Sequence, residues 1–121
     1  MKGRAELFGS ELAKDIEYTL SGRKTAIYSW HGCDLELSGT SSVEYVAGDT
    51  PMQVYLNAHL ALQQQRLEAK KNNGNGPRVM VVGPSDVGKT SVCKVLLNYA
   101  VKMESTPLFV DIDTNEVGIH Y

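Results

Sequence analysis

The sequence predicts an α/β P-loop NTPase unit with a partial parallel sheet, preceded by a small all-β domain and a connecting helix. Three observations carry this prediction. Residues 83–90 read Gly-Pro-Ser-Asp-Val-Gly-Lys-Thr, the pattern G-x-x-x-x-G-K-[ST] of a phosphate-binding loop. An apolar run precedes the loop and an amphipathic stretch follows it, as a strand–loop–helix unit requires. Residues 1–48, by contrast, alternate apolar and polar side chains in short runs broken by turn residues. The expected boundaries are 1–49 for the β-rich domain, 50–76 for the helix and its linker, and 77–121 for the start of the P-loop domain.

The β-rich domain rests on period two. Ile16, Tyr18 and Leu20 alternate with Glu17 and Thr19, and Leu35 and Leu37 with Asp34, Glu36 and Ser38. Val43, Tyr45 and Ala47 face away from Glu44, and residues 25–30 are aromatic and β-branched. Such alternation puts one face on a core and the other in water. Turn pairs at Ser21-Gly22, His31-Gly32, Ser38-Gly39 and Gly48-Asp49 separate the runs, a spacing that fits a small sandwich or barrel. The expected core includes Trp30, Leu35, Leu37 and Tyr45.

At Thr50 the period changes. Thr50 as cap, Pro51 at the first helical position and Gln53 three residues after Thr50 compose a capping box. The helix is expected to run to about Lys71, burying Met52, Tyr55, Leu56, His59, Leu62 and Leu67. Asn72-Asn73-Gly74-Asn75-Gly76-Pro77 ends it and reads as a flexible linker. Residues 79–82, Val-Met-Val-Val, suit a parallel strand buried on both faces. A second helix is expected from Lys89 to Lys102 with Val92, Val95, Leu96, Tyr99 and Ala100 inward. After Ser105-Thr106-Pro107, residues 108–112 form the second strand of one βαβ unit.

Bulk composition narrows the function. Apolar residues make up 42% of the 121, which is enough for a packed core. The net charge of −2 speaks against a self-sufficient nucleic-acid binder. Cys33 and Cys93, the two cysteines, make neither a disulfide framework nor a zinc site, so a reducing compartment, cytosol or nucleus, is expected. The first residues have no apolar core of a signal peptide, and no stretch nears the roughly 18 apolar residues of a membrane span.

The chemistry lies in Gly83, Pro84, Ser85, Asp86, Val87, Gly88, Lys89 and Thr90, with Ser91 closing the cofactor-binding set. Glycine lets the backbone wrap an oxyanion without a Cβ in the way. Successive N–H groups make an anion nest, and the following helix aims its positive end at the same point. Lys89 reaches the β- and γ-phosphates of a nucleoside triphosphate, ATP, and the Thr90 hydroxyl can ligate Mg²⁺. Asp111 and Asp113 fall at the C-terminal end of the second strand, the edge that faces ligand in open parallel sheets. One of them could organise Mg²⁺ and the other accept the proton of an attacking hydroxyl; two solvated acids ending a strand is the plainer reading. His31 reads as a structural turn residue and Cys93 as a small core residue. Arg66, Lys70, Lys71 and Arg78 read as a solvated helix end, or as a contact to a phosphate backbone.

Pro77-Arg78-Val79-Met80-Val81-Val82 running into the loop, then Leu96-Leu97-Asn98-Tyr99-Ala100, resembles the RNA 5′-hydroxyl kinase subunit of the eukaryotic pre-mRNA cleavage and polyadenylation machinery. Glu6-Leu7-Phe8-Gly9, Trp30-His31-Gly32-Cys33, Tyr45-Val46 and Asp49-Thr50-Pro51-Met52 resemble its β-domain and connecting helix. The resemblance implies ATP and Mg²⁺ as cofactors and RNA 5′-hydroxyl ends as substrate. It implies other cleavage-complex subunits and tRNA-splicing endonuclease as partners, no membrane, and the nucleus as location. By position it makes Lys89 the phosphate lysine, Thr90 a Mg²⁺ ligand, and Asp113 the acid facing the attacking hydroxyl; of the two strand-end acids this leaves Asp111 as the metal candidate. Some members of the family bind ATP without kinase function, so a nucleotide-gated scaffold subunit is the alternative. Where the family continues with Gly-Gln after that acid, this chain has Thr114-Asn115-Glu116 and stops at Tyr121. The expectation is therefore a truncated member that binds ATP and, without the family's lid, does not phosphorylate RNA alone.

Overall fold

The computed structural model describes residues 3–22 and 24–112. Three short strands form one antiparallel sheet in the order β2-β1-β3, with β1 at Glu6–Leu7, β2 at Ser10–Glu11 and β3 at Ile27–Tyr28. Glu6 pairs with Glu11 and Leu7 with Ser10 across the first hairpin, and β3 flanks β1 on the other side. Two helices follow, α1 at Met52–Lys71 and α2 at Lys89–Lys102.

Hairpin β1–β2 turns on Phe8 and Gly9, with φ of 48° and 83°. Two left-handed residues in a row are what a two-residue type I′ turn demands, because its twist matches that of the flanking strands. Glycine adopts that conformation freely, whereas a bulky aromatic does so at a cost of roughly 1–2 kcal/mol. The contacts that hold Phe8 there come from the core cluster of Met52, Val95 and Tyr99 and from Lys94 and Asn98.

Both helices keep their expected lengths, and both close the same way. Asn73 and Glu104 are left-handed at φ 48° and 57°. The next N–H then reaches back five residues, Gly74 to Ala69 O at 2.8 Å and Ser105 to Ala100 O at 3.0 Å, a Schellman closure. The start of α1 differs from the expected capping box. Pro51 is the cap position, and the Thr50 hydroxyl accepts only a long 3.4 Å bond from the Met52 N–H.

The core gathers where hairpin, α1 and α2 converge. Met52, Val95 and Tyr99 form its centre, with Phe8, Tyr28, Tyr55 and Leu56 packed against them. Ala5 and Ala100 are also buried. The helical part of this set follows the expected stripes, except that Leu67 is exposed.

The β-domain core is a correction. Trp30, Leu35, Leu37 and Tyr45 are 40%, 41%, 64% and 84% exposed. Residues 16–20, 34–38 and 43–47 carry no strand, and of the 25–30 run only Ile27–Tyr28 pairs. Alternation marks a segment able to bury one face, but burial needs an opposing layer, and no second layer covers these faces among the described residues. The expected parallel strands at 79–82 and 108–112 are likewise not formed. Val79, Met80, Val82, Leu108, Val110 and Ile112 are exposed, consistent with a parallel ladder that has no covered faces to stabilise it.

Candidate functional site

Residues 83–88 form an exposed turn that runs straight into α2. Two left-handed positions bend it, Asp86 at φ 61° and Gly88 at φ 89°. Gly88 is the cap residue of α2, and its carbonyl accepts the first helical bond, from the Val92 N–H at 3.1 Å. A residue with a Cβ would be strained at that φ, which is the local reason the motif places glycine there. Gly83 serves space rather than φ: a Cβ there would lie 3.1 Å from Val87 Cγ2 and 3.8 Å from Lys89 Cγ and Cδ.

The lysine stem therefore folds back across the turn, and Lys89 Nζ donates to Pro84 O at 2.8 Å. Its ammonium stands over the loop that precedes it. Among the described residues no side chain caps α2, and its first turn holds no acidic residue. The first amide N–H groups of a helix have no intrahelical acceptor, and the dipole adds positive potential at that end. An ammonium at a helix start and a turn bent by left-handed residues are an arrangement able to receive an anion the size of a phosphate.

Thr90 sits half-buried in the first turn of α2, beside Lys89, and Ser91 is exposed next to it. Gly83, Pro84, Ser85, Asp86, Val87, Gly88, Lys89, Thr90 and Ser91 thus occupy one continuous turn and helix start. Asp111 lies exposed in the segment after α2 rather than at the end of a strand. Asp113 falls outside the described residues. No group of three His, Cys, Asp or Glu side chains gathers as a metal site among the described residues.

Sequence reasoning missed what grips the far half of α2. Tyr99 donates its hydroxyl to Glu6 Oε1 at 2.5 Å, and Asn98 Nδ2 donates to Phe8 O at 2.8 Å. Lys102 Nζ reaches Glu11 Oε2 at 3.4 Å, and Lys94 Nζ lies 5.7 Å from the Phe8 ring centroid. Glu6 is buried, and Tyr99 is held well above the ordinary tyrosine range, first by burial and then by the Glu6 hydrogen bond. The hydroxyl therefore stays a donor. His59 packs edge-on to Tyr99 at 5.5 Å, is buried at 3% exposure, and has no partner for Nδ1 among the described residues. Burial lowers its pKa, and the nearby Arg66 lowers it further. His59 was legible as a member of the α1 stripe; Glu6 gave no signal, since nothing local says that a hairpin carboxylate is buried.

Arg66 is half-buried and donates to Gln63 Oε1 at 3.1 Å, while Lys70 and Lys71 occupy the last turn of α1, where the dipole favours cations. Gly3 bridges Cys33 in an isolated antiparallel pair, and Cys93 is half-buried on α2. Among the described residues no helix is long and apolar enough to cross a membrane.

Comparison with known proteins gives this geometry a context. The family model for the N-terminal beta-sandwich domain of polyadenylation factor matches residues 1–69. The model for the P-loop of mRNA cleavage and polyadenylation factor CLP1 matches residues 83–121. Polyribonucleotide 5'-hydroxyl-kinase Clp1 of Bos taurus is 51% identical over 98% of this chain and 28% of its own length. The Homo sapiens protein of that name is 50% identical over the same shares. Protein CLP1 homolog of Anopheles gambiae is also 50% identical, over 98% of this chain and 28% of its own length. The chain thus spans little more than a quarter of the curated relatives it matches.

Proposed function

The chain belongs to the CLP1 polyadenylation-factor family, and we propose from that premise that residues 83–91 bind ATP in a polynucleotide 5′-hydroxyl kinase of pre-mRNA 3′-end processing and tRNA splicing. The observation that carries the reading is the Lys89 ammonium folded over its own loop at the uncapped start of α2. Bound there, ATP supplies the phosphoryl donor. Main-chain N–H groups of the loop and of the first turn of α2 hold the phosphates, and Lys89 exchanges the Pro84 carbonyl for phosphate oxygen. Thr90, through its hydroxyl, would hold Mg²⁺ beside the phosphates. Asp111 is the second candidate for the metal, and Asp113 the acceptor for the proton of an RNA 5′-hydroxyl. Other subunits of the cleavage complex and tRNA-splicing endonuclease are the proposed partners, and the nucleus the proposed location.

The grip on the far half of α2 favours a second reading, a nucleotide-gated scaffold subunit without phosphoryl transfer. There the bound nucleotide sets how the N-terminal hairpin sits, not a rate of chemistry. Two measurements separate the readings from each other and from failure. Titration with a fluorescent ATP analogue, with and without Mg²⁺, is expected to give saturable binding that Thr90→Ala makes insensitive to Mg²⁺. Transfer of radiolabel from ATP to a 5′-hydroxyl RNA oligonucleotide, assayed with this chain's sequence in place of the matching segment of a full-length relative and abolished by Lys89→Ala, marks the kinase; binding without transfer in that full-length context marks the scaffold. Absence of nucleotide binding defeats both.

A further inference from the structure

The residues of α2 that hold the hairpin form one stripe. Val95, Asn98, Tyr99 and Lys102 recur at the three- and four-residue spacing that puts side chains on one face of a helix. Together they meet the hairpin from its turn to both of its strands. The Val95 carbonyl and the Tyr99 ring press on Gly9, where an added Cβ would fall 3.1–3.2 Å from them. Asn98 takes the Phe8 carbonyl, Tyr99 the Glu6 carboxylate and Lys102 the Glu11 carboxylate. The hairpin tip is held in a conformation that Phe8 adopts only under restraint, with φ 48°. The same helix opens at Lys89, ten residues before Tyr99, about 15 Å along a rigid rod.

We propose that Glu6 and Tyr99 are positioning residues that couple the seating of the N-terminal hairpin on α2 to occupancy of the loop at residues 83–90. The inference rests on the reading of that loop as a nucleotide site. A phosphate drawing on the first-turn amides fixes the rotation and axial position of α2. The hairpin reads that position at the other end through hydrogen bonds whose geometry tolerates little displacement. Glu6 is a buried carboxylate, so losing the Tyr99 hydroxyl leaves a charge without its donor and favours the unseated hairpin. Coupling of this kind is reciprocal: whatever unseats the hairpin weakens the nucleotide by the factor by which the nucleotide seats the hairpin.

Trp30, the one tryptophan of the sequence, is a built-in reporter. Its ring meets Tyr28 edge-on at 5.0 Å, and Tyr28 packs against the Met52, Val95 and Tyr99 cluster. The test measures affinity for a fluorescent ATP analogue, and separately the Trp30 emission spectrum with plain ATP, on the whole chain. Wild type is expected to bind and to shift its Trp30 emission. Tyr99→Phe, which keeps the ring, is expected to bind about 5- to 50-fold more weakly, within the usual span of inter-site coupling, and to lose most of the shift. Glu6→Gln, whose amide oxygen still accepts the hydroxyl, is expected to retain most of both. A structural role alone would lower the melting temperature of Tyr99→Phe and leave the nucleotide-dependent shift in place. If Tyr99→Phe does not fold, Asn98→Ala replaces it with the same expectation. Equal affinity in the variant, or a Trp30 spectrum unmoved while wild type saturates, overturns the coupling. No binding by wild type overturns the nucleotide reading, and the coupling with it.

Discussion

The two ends of α2 are built to opposite rules. The first turn is uncapped and carries no acid, and the loop leading into it is exposed and bent by left-handed residues. The last two turns bury Val95, Tyr99 and Ala100, are tied to the hairpin by Asn98 and Tyr99, and end in a closed Schellman motif. One end points its first-turn N–H groups out of the helix, where an anion can be received. The other satisfies its polar groups and supplies the core. A binding site and a fold anchor share one helix because a helix transmits position between them while each end keeps its own chemistry.

The largest effect expected from disturbing this contrast is at the buried end. Tyr99→Ala removes a central core side chain and strands the Glu6 carboxylate, and is expected to cost about 3–5 kcal/mol of stability, the range for deleting a buried aromatic. Thermal unfolding followed by circular dichroism measures it; a loss below about 1 kcal/mol would mean that the far end is not the anchor. Next is Lys89→Ala at the open end. It is expected to weaken ATP binding by about 1.5–3 kcal/mol, the worth of a charged hydrogen bond, with the melting temperature little changed. If unfolding shifts and binding does not, the assignment of the two ends is reversed.

Gly88→Ala sharpens the contrast, since it alters the open end through the backbone alone. At φ 89° a Cβ is expected to cost about 1–2 kcal/mol, shared between stability and nucleotide affinity. Denaturant unfolding and the same ATP titration apportion it. Acid acts on the buried end. His59 has its pKa lowered by burial, so the unfolded chain binds a proton more readily than the folded one. Stability is therefore expected to be complete above the ordinary histidine value of 6.5 and to fall as pH drops below it, and His59→Phe to flatten that fall. Urea midpoints at a series of pH values check this. The smallest effect belongs to Thr50→Ala: its single long bond at 3.4 Å predicts a loss of about 0.5 kcal/mol, the low end for a cap.

What could be read from the sequence follows the same division. The loop was legible because its requirements are local: glycine for φ at residue 88, glycine for space at residue 83, and a lysine at the helix start. Both helices were legible in extent because a 3.6-residue stripe is carried by neighbours in sequence. The strands were not, because pairing is settled between distant segments. Ile27 and Tyr28 found a partner in β1, whereas the equally regular Leu35 and Leu37 remain exposed. The hairpin was hidden for a further reason. Phe-Gly is not among the dipeptides that announce a type I′ turn, and Phe8 holds its conformation through residues as distant as Asn98, about 90 residues away in sequence. Nothing in its sequence neighbourhood marks Glu6 for burial; the Tyr99 hydroxyl against it does.

The most direct test of the central claim, that the loop at residues 83–90 receives nucleotide phosphate through its backbone, is an amide ¹⁵N–¹H NMR titration of the whole chain with Mg²⁺-ATP. The account predicts that the largest shifts fall on Gly88, Lys89 and Thr90, saturate together, and vanish at the same concentrations in Lys89→Ala. Shifts centred on the basic end of α1 at Lys70 and Lys71, or a spectrum that ATP leaves unchanged, would contradict it.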